Sequence, residues 1–175
     1  TPFVGAALRE PRLRCHDIID ERAASFFALG QARITGRPSL LLCTSGSAGA
    51  HYFPAIIEAG LASLPLLVLT ADRPTEAMDC GAPQTIDQTK LYGGHVRQFF
   101  DVGMPDEAPA SLRAVRRLAF QAYLASVDPR PGPVHMNGRA RKPLEPVVLP
   151  TTDRGRQLAS VAAEIRAQVV RVVPT

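Results

Sequence analysis

Cys15-His-Asp-Ile-Ile-Asp-Glu-Arg-Ala-Ala-Ser-Phe-Phe-Ala-Leu-Gly30 is the stretch of sequence from which the fold is most directly predicted. The β-branched pair Ile18-Ile19 is typical of a strand, and the residues that follow have the spacing of an amphipathic helix. We therefore predict a strand at residues 13–19 that runs directly into a helix at residues 21–35. Glu21 stands at the joint, and ligands of open parallel sheets bind at the carboxyl edge, where such joints lie. Glu21 is therefore the first candidate for a functional side chain.

Strands and helices alternate along the rest of the chain. Short apolar runs predict further strands at residues 39–43, 66–70, 96–102 and 131–137. Helical periodicity predicts helices at residues 1–11, 52–61 and 111–126. The last of these helices is predicted to bury Leu112, Val115, Leu118, Ala119, Ala122 and Tyr123. This alternation is typical of a three-layer α/β/α sandwich with a mainly parallel sheet.

The composition changes near residue 142. Residues 143–150 are rich in proline and predict an extended linker, and residues 154–170 have the pattern of one amphipathic helix. We therefore predict one domain at residues 1–146. Residues 147–175 are predicted to be a linker and helix that lead to a middle domain outside this chain.

Composition and charge exclude several classes of protein. The formal net charge is +4, but the basic residues are scattered and aromatic residues make up only 6% of the chain. Nucleic-acid binding needs a clustered basic face, so we expect no nucleic-acid partner. No stretch approaches the ~18–20 apolar residues that a membrane span requires. No secretory signal is recognisable at the N-terminus, and we expect a cytoplasmic protein.

Cysteine and histidine patterns do not indicate a metal site. Cys15, Cys43 and Cys80 are far apart and form no Cys-x-x-Cys pair, which favours free thiols in a reducing compartment. The histidines show no i, i+4 pairing and are predicted to be packed or surface imidazoles. We predict no metal ligand in this chain. His95 has the strongest claim to a function among the histidines, because it lies near the long loop at residues 75–88.

Two further predicted strand ends carry groups that suit a ligand. The turn Thr44-Ser-Gly-Ser-Ala-Gly49 would let the backbone approach a ligand and would offer N–H groups to an anion, although a tight turn with a serine cap is the alternative. Arg73 could bind an anion or form an ion pair with Asp72 or Asp79. Glu21 alone could be a helix cap or a surface charge. A carboxylate, a glycine turn and a guanidinium at one sheet edge together favour a ligand site.

Five motifs of this chain together resemble a known family. They are DERAASFFALG at residues 20–30, CTSGS at 43–47, LTADRP at 69–74, DCGAPQTIDQ at 79–88 and GPVHMN at 132–137. In this order and spacing they resemble the N-terminal, pyrimidine-binding domain of the 2-succinyl-5-enolpyruvyl-6-hydroxy-3-cyclohexene-1-carboxylate (SEPHCHC) synthases. These are thiamine-diphosphate enzymes of menaquinone biosynthesis. The resemblance covers residues 1–146 and implies the α/β fold of thiamine-diphosphate-binding domains.

The resemblance implies that Glu21 is a catalytic and cofactor-binding residue. In thiamine-diphosphate enzymes the corresponding glutamate hydrogen-bonds N1′ of the aminopyrimidine. It favours the tautomer whose 4′-nitrogen removes the proton from C2 of the thiazolium. Thr44, Ser45 and Gly46 match the family's turn near the cofactor. The implied cofactor is thiamine diphosphate, which carries the difficult carbon chemistry.

The resemblance also implies the substrates. The family decarboxylates 2-oxoglutarate and adds the succinyl semialdehyde unit to isochorismate. Arg73 matches the arginine that contacts isochorismate, and a planar, bidentate donor suits a carboxylate. Gln84 matches a substrate-side glutamine. Pro83 stands where many relatives have asparagine, so no polar role is carried onto Pro83.

Part of the implied site lies outside this chain. The family holds Mg²⁺ and the diphosphate with a Gly-Asp-Gly segment and a following asparagine in a C-terminal domain, and this sequence contains no such segment. The family's active site is built between two subunits of a homo-oligomer, a dimer or a tetramer. We therefore expect this chain to be only a part of the enzyme and to be inactive alone.

Two alternatives remain open at this point. Another thiamine-diphosphate enzyme, such as one of the acetolactate synthase type, would share the fold and Glu21, although Arg73 and Gln84 in their context argue against it. A non-catalytic α/β interaction module would keep the fold without the cofactor chemistry.

Overall fold

A computed structural model describes residues 2–145 and 152–167 of the chain. The strands are β1 (Ser39–Cys43), β2 (Leu66–Asp72), β3 (Gln98–Gly103) and β4 (Pro133–Arg139). The α-helices are α1 (Pro2–Leu8), α2 (Glu21–Thr35), α3 (Phe53–Leu61), α4 (Pro109–Val127) and α5 (Asp153–Ala167). A 3-10 helix at Gly46–Tyr52 leads into α3.

The described strands form one parallel sheet with the order β1-β2-β4-β3. Cys43 lies opposite Thr70, and Thr70 lies opposite Asn137. The carboxyl ends of β1, β2 and β4 are therefore aligned at one edge of the sheet. The predicted mainly parallel sheet is confirmed, and its carboxyl edge is where the candidate residues have to be sought.

Helices cover both faces of the sheet. On one face α2 and α3 pack on β1 and β2 through the buried residues Ala28, Ala32, Leu41, Tyr52, Ile56, Ala59, Leu66, Val68 and Tyr92. On the other face α4 packs on a second cluster formed by Phe100, Ala122, Val134 and Met136, with Leu67 and Leu69 beside it. Alternate residues of β2 thus enter different clusters, as the pleat of a strand buried on both faces requires. The three-layer α/β/α sandwich is confirmed.

Helix α2 has the bounds that the sequence predicts, because both of its ends are capped. The Asp20 carboxylate accepts a hydrogen bond from the Ala23 N–H at 2.6 Å. At the other end Gly36 adopts φ +66°, and its N–H donates to the Ala32 carbonyl at 2.9 Å. The first residue inside this well-defined helix is Glu21.

The predicted strand at residues 13–19 is wrong. These residues form no strand, and Ile19 is 98% exposed. Residues 14–17 are Arg-Cys-His-Asp and are all exposed, because a place in the sheet would remove the charged side chains of Arg14 and Asp17 from water. Glu21 consequently reaches the carboxyl edge as the first residue of α2 rather than at the end of a strand.

Smaller corrections concern the ends of elements and the faces of α4. Four predicted elements are shifted or extended by one to two residues, namely β2, β3, β4 and α4, and the helix predicted at residues 1–11 ends at Leu8. The predicted helix at residues 52–61 begins as a 3-10 turn and continues as α3. Val115, Ala119 and Tyr123 of α4, which were expected to be buried, are exposed. The sheet contacts only a narrow stripe of α4, centred on Ala122 and Ser126, so the predicted apolar stripe was too wide.

Helix α5 packs against α4. Arg113 of α4 and Glu164 of α5 form an exposed ion pair at 3.7 Å. The predicted helix at residues 154–170 is confirmed as far as Ala167, and its last three residues lie outside the described residues. Of the predicted linker at 143–150, residues 146–150 also lie outside them. The proposed domain end at residue 146 stays a prediction.

Candidate functional site

Glu21 lies in a groove at the carboxyl end of β1. The groove has a volume of about 740 Å³ and lies between residues 13–18, α2 and β1. The His16 ring packs edge-on against Phe27 with 5.1 Å between the ring centres, so the segment before α2 forms one wall. Next to Glu21 the groove is lined by Cys43, Thr44 and Tyr52. A volume of this size is typical of small-molecule sites, which span roughly 300–1,000 Å³.

Cys43 and Tyr52 are neutral neighbours of Glu21. Burial raises the pKa of the Cys43 thiol to about 12, and the nearby Glu21 carboxylate contributes to the increase. Burial also raises the pKa of Tyr52, whose hydroxyl is hydrogen-bonded to Cys43. Because only a thiolate is an effective nucleophile, Cys43 does not suit nucleophilic catalysis at neutral pH. Glu21 therefore has two uncharged neighbours in this part of the groove.

The Glu21 carboxylate is left without a counter-ion. Within residues 2–145 and 152–167, none of the ion pairs involves Glu21. Its side chain is half-buried, and the apolar groove wall includes Ala24, Phe27 and Leu41. A partly desolvated carboxylate without a cation favours a ligand that brings its own donor.

The turn at Thr44–Gly46 has a different geometry from the one expected. It leads into a 3-10 helix rather than an α-helix, and Ser45 makes no side-chain cap hydrogen bond. The Gly46 N–H does not point to an open anion site, because it donates to Gln88 Oε1 at 2.8 Å. Of the three residues of the turn, Thr44 is exposed and lines the groove, whereas Ser45 and Gly46 are buried.

Gly46 and Gln84 lie against each other. A Cβ atom at Gly46 would be 3.1 Å from the Gln84 Cα and 3.3 Å from its carbonyl oxygen. Gly46 also has φ +85°, which strains any residue with a side chain. Gln84 is exposed and itself adopts φ +53°. The structure thus brings the predicted substrate-side loop into contact with the predicted cofactor turn.

A buried polar cluster lies behind the turn, between β2 and β4. Asn137 Oδ1 accepts a hydrogen bond from the Thr70 hydroxyl at 2.8 Å, and Asn137 Nδ2 donates to Asp72 Oδ2 at 2.7 Å. Since the Thr70 proton goes to Asn137, the contact of 2.8 Å between Thr70 Oγ1 and His135 Nε2 requires the proton on His135 Nε2. His135 Nδ1 is then a buried acceptor without a partner within the described residues.

His135 should make the stability of the protein depend on pH. Burial lowers the pKa of His135 to about 4 from the ordinary 6.5, because a proton on Nδ1 would have no acceptor. Between these values the unfolded chain binds more protons than the folded chain, so stability falls as the pH drops from 6.5 towards 4. The expected loss is about 3 kcal/mol in the free energy of unfolding. Urea unfolding across this pH range measures it.

The control is His51→Gln, at an exposed histidine. His135→Gln should flatten the pH dependence of the unfolding free energy, whereas His51→Gln should leave it as in the wild type. An equally steep dependence in His135→Gln would contradict the assignment to His135.

Arg73 directly follows β2 and does not line the groove. Its Nε is buried and has no hydrogen-bond partner within the described residues. The alternative of an ion pair with Asp72 or Asp79 is not found there either. Asp72 instead accepts the Arg73 backbone N–H at 2.8 Å and lies 3.9 Å from Arg139. A buried guanidinium donor that is left unpaired favours an anionic ligand.

The predicted site residues all lie at the carboxyl edge, but in two groups. Glu21 and Thr44 line the groove, with Ser45 and Gly46 immediately behind. The other group is formed by Arg73, at the end of the adjacent strand, and Gln84, which reaches the first group through Gly46.

Sequence reasoning assigned no role to four further residues of this region: Cys43, Tyr52, Gln88 and Asn137. Gln88 and Asn137 ended two of the quoted motifs without being given a function. A signal was present in Val-His-Met-Asn at residues 134–137, where polar residues alternate with apolar ones in a strand otherwise buried on both faces. Such alternation in a fully buried strand indicates a buried polar cluster.

Comparison with known sequences decides the family. Residues 1–91 match the family described as "Thiamine pyrophosphate enzyme, N-terminal TPP binding domain". The chain belongs to this family. The matched part of the TPP-binding domain contains Glu21, the turn at residues 44–46, Arg73 and Gln84, whereas Asn137 lies beyond it.

Three curated relatives of this chain have the name 2-succinyl-5-enolpyruvyl-6-hydroxy-3-cyclohexene-1-carboxylate synthase. The relative from Sorangium cellulosum is 60% identical over 147 residues, which are 84% of this chain and 24% of that protein. The Haloarcula marismortui relative is 50% identical, over 87% of this chain and 26% of that protein. The Listeria innocua relative is 47% identical, over 86% of this chain and 26% of that protein. The chain spans about a quarter of the length of the curated relatives it matches.

The described residues hold neither a metal cluster nor a membrane-spanning helix. Residues 2–145 and 152–167 contain no group of three or more His, Cys, Asp or Glu side chains placed to hold a metal ion. Across the same residues, no helix has the length and apolar character needed to cross a bilayer.

Proposed function

We propose that this chain is the N-terminal, pyrimidine-binding domain of an SEPHCHC synthase. The whole enzyme would decarboxylate 2-oxoglutarate and add the succinyl semialdehyde unit to isochorismate. The observation that carries this proposal is the Glu21 carboxylate, which forms no ion pair within the described residues and lies in a mainly apolar groove of the TPP-binding domain. The name shared by relatives at 47–60% identity supports the choice of reaction.

The groove residues suit the aminopyrimidine end of thiamine diphosphate. A flat heteroaromatic ring matches the apolar wall near Phe27 and Leu41, and the Glu21 carboxylate can accept a hydrogen bond from a protonated ring nitrogen. When bound, thiamine diphosphate supplies a carbon nucleophile that the amino acids themselves lack. The part of Glu21 is to hold the proton at N1′ and so to set the basicity of the 4′-nitrogen. Cys43 and Tyr52 stay neutral, so neither of them takes up this proton in place of Glu21.

The remaining roles follow from the two groups at the sheet edge. Thr44, Ser45 and Gly46 would shape the cofactor end of the groove, with Thr44 exposed to it. Arg73 would bind a carboxylate of isochorismate through its guanidinium, whose Nε has no partner within the described residues. The exposed Gln84 would contact the substrate from the loop that packs on Gly46.

The proposal extends to groups outside this chain. Mg²⁺ and the diphosphate would be held by another domain of the whole protein, in a homo-oligomer whose active sites lie between subunits. Phe26 and Ile34 of α2 and Leu61 of α3 are exposed apolar side chains, which supports contacts with another domain or subunit. The free thiols of Cys15 and Cys80 are exposed, which supports the reducing conditions of the cytoplasm.

Substrate tests with the full-length protein decide between this reaction and its alternatives. The protein, loaded with thiamine diphosphate and Mg²⁺, should consume 2-oxoglutarate only with carboligation to isochorismate, and it should not turn over pyruvate. Turnover of pyruvate without turnover of isochorismate would favour an enzyme of the acetolactate synthase type. Absence of cofactor binding by the full-length protein would favour an interaction module. Residues 1–175 alone should be inactive.

A further inference from the structure

Gln88 is a buried side chain whose hydrogen-bonding groups are all used. It is 1% exposed. Its Oε1 accepts the Gly46 N–H at 2.8 Å, and its Nε2 donates to the Ala71 carbonyl and to Asn137 Oδ1, each at 3.0 Å. Gln88 thereby ties the turn after β1 to the carboxyl ends of β2 and β4.

Asn137 continues this connection towards Arg73. It is completely buried and donates from Nδ2 to Asp72 Oδ2. The other Asp72 oxygen accepts the Arg73 backbone N–H. A continuous hydrogen-bonded path therefore runs from Gly46 through Gln88, Asn137 and Asp72 to Arg73.

The direction of every bond in this path is fixed by its ends. A backbone N–H can only donate, so Gln88 must present its oxygen to Gly46 and its amide nitrogen to the Ala71 carbonyl. A carboxylate can only accept, so Asn137 must present its nitrogen to Asp72. The two orientations agree where the side chains meet, since Gln88 Nε2 then faces Asn137 Oδ1. Such a path needs amides, because each side chain has to donate and accept at once.

We propose that Gln88 and Asn137 form an amide bridge that positions the cofactor turn relative to the substrate arginine. This inference rests on the proposed function, because it takes the turn at Thr44–Gly46 to border the cofactor and Arg73 to bind the substrate. The residues of the bridge are positioning residues, since neither Gln88 nor Asn137 lines the groove.

The bridge acts through the position of the turn. Gly46 is pressed against the backbone of Gln84 on one side and held by Gln88 on the other, so the turn has little freedom. Without Gln88 the buried Gly46 N–H would lose its hydrogen bond to Gln88 Oε1, and a shift of the turn towards water would supply a new partner. Such a shift would move Thr44, which lines the groove beside Glu21.

The test uses Gln88→Met in the full-length protein, because methionine keeps the length and burial of the side chain but removes its hydrogen bonds. Gln121→Met at an exposed position of α4 is the matched control. In the protein without cofactor, hydrogen exchange of the peptide around Gly46 should be about tenfold faster in Gln88→Met than in the control. The dissociation constant of thiamine diphosphate and the KM of isochorismate should each rise about tenfold or more.

The outcomes separate positioning from support of the fold. A residue that only stabilises the fold would lower the temperature of unfolding and leave the cofactor dissociation constant of the folded protein unchanged, and this result would overturn the proposal. Unchanged exchange around Gly46 would also overturn it. If Gln88→Met does not fold, the same measurements on Gln88→Glu apply, since this side chain keeps the acceptor for Gly46 and loses at least one donor. If the wild type binds no thiamine diphosphate, the proposed function itself fails and the bridge has no role in it.

Discussion

Glu21→Gln in the full-length protein is expected to lower turnover with 2-oxoglutarate and isochorismate by at least ~100-fold. Glutamine keeps the shape of the side chain and can still contact a ring nitrogen, so the affinity for thiamine diphosphate should remain largely intact. What is lost is the carboxylate that accepts and holds a proton. Steady-state kinetics together with a cofactor titration measure the two effects separately.

Glu58→Gln supplies the control for this substitution, since Glu58 is an exposed carboxylate on α3, away from the groove. It should leave both turnover and cofactor affinity as in the wild type. Unchanged turnover in Glu21→Gln would rule out the role proposed for Glu21. A loss of cofactor binding without a change in the turnover of the loaded fraction would make Glu21 a binding residue only.

Arg73→Ala is expected to raise the KM of isochorismate by about 100-fold, because it removes a partly buried, charged donor from an anionic substrate. The effect on turnover at saturating isochorismate should be smaller. The KM of isochorismate in Arg73→Lys should lie between the values of the wild type and Arg73→Ala, since lysine retains the charge but not the planar pair of donors. Initial rates over a range of isochorismate concentrations measure the effect.

Arg117→Ala is the matched control, at an exposed arginine of α4 on the opposite face of the sheet from α2 and α3. Its KM for isochorismate should equal that of the wild type. Equal KM values in Arg73→Ala and the wild type would place the anion-binding group elsewhere, and the unpaired Nε of Arg73 would then need another partner.

Local sequence predicted β1 and most of β2 because these two segments consist mainly of apolar residues. The strand at Leu40–Leu42 is confirmed, but its expected burial on both faces is not, because β1 lies at the edge of the described sheet and Leu40 is exposed. Ile18-Ile19 suggested a strand at residues 13–19 as well, but the polar residues before it cannot be buried in a sheet. Two β-branched residues were too little evidence for a strand.

Local sequence likewise predicted only part of the candidate site, because the rest depends on contacts between residues that are distant in sequence. Glu21 was selected as the joint between a strand at residues 13–19 and a helix; the strand is wrong, but the helix that begins at Glu21 was predicted correctly from its local apolar spacing. The amide bridge could not be predicted in this way, because Gln88 contacts Gly46 across 42 residues and Asn137 across 49. The order of strands in the sheet determines which polar side chains meet in the interior. This order cannot be predicted from a local sequence pattern.

The central claim is that the Glu21 carboxylate promotes removal of a proton from the bound cofactor. The most direct measurement is the rate at which the C2 proton of thiamine diphosphate exchanges with solvent deuterium when the cofactor is bound to the full-length protein without substrate. We predict rapid exchange in the wild type and exchange slower by about 100-fold in Glu21→Gln, at equal occupancy of the site. Equal exchange rates in the two proteins would contradict the account.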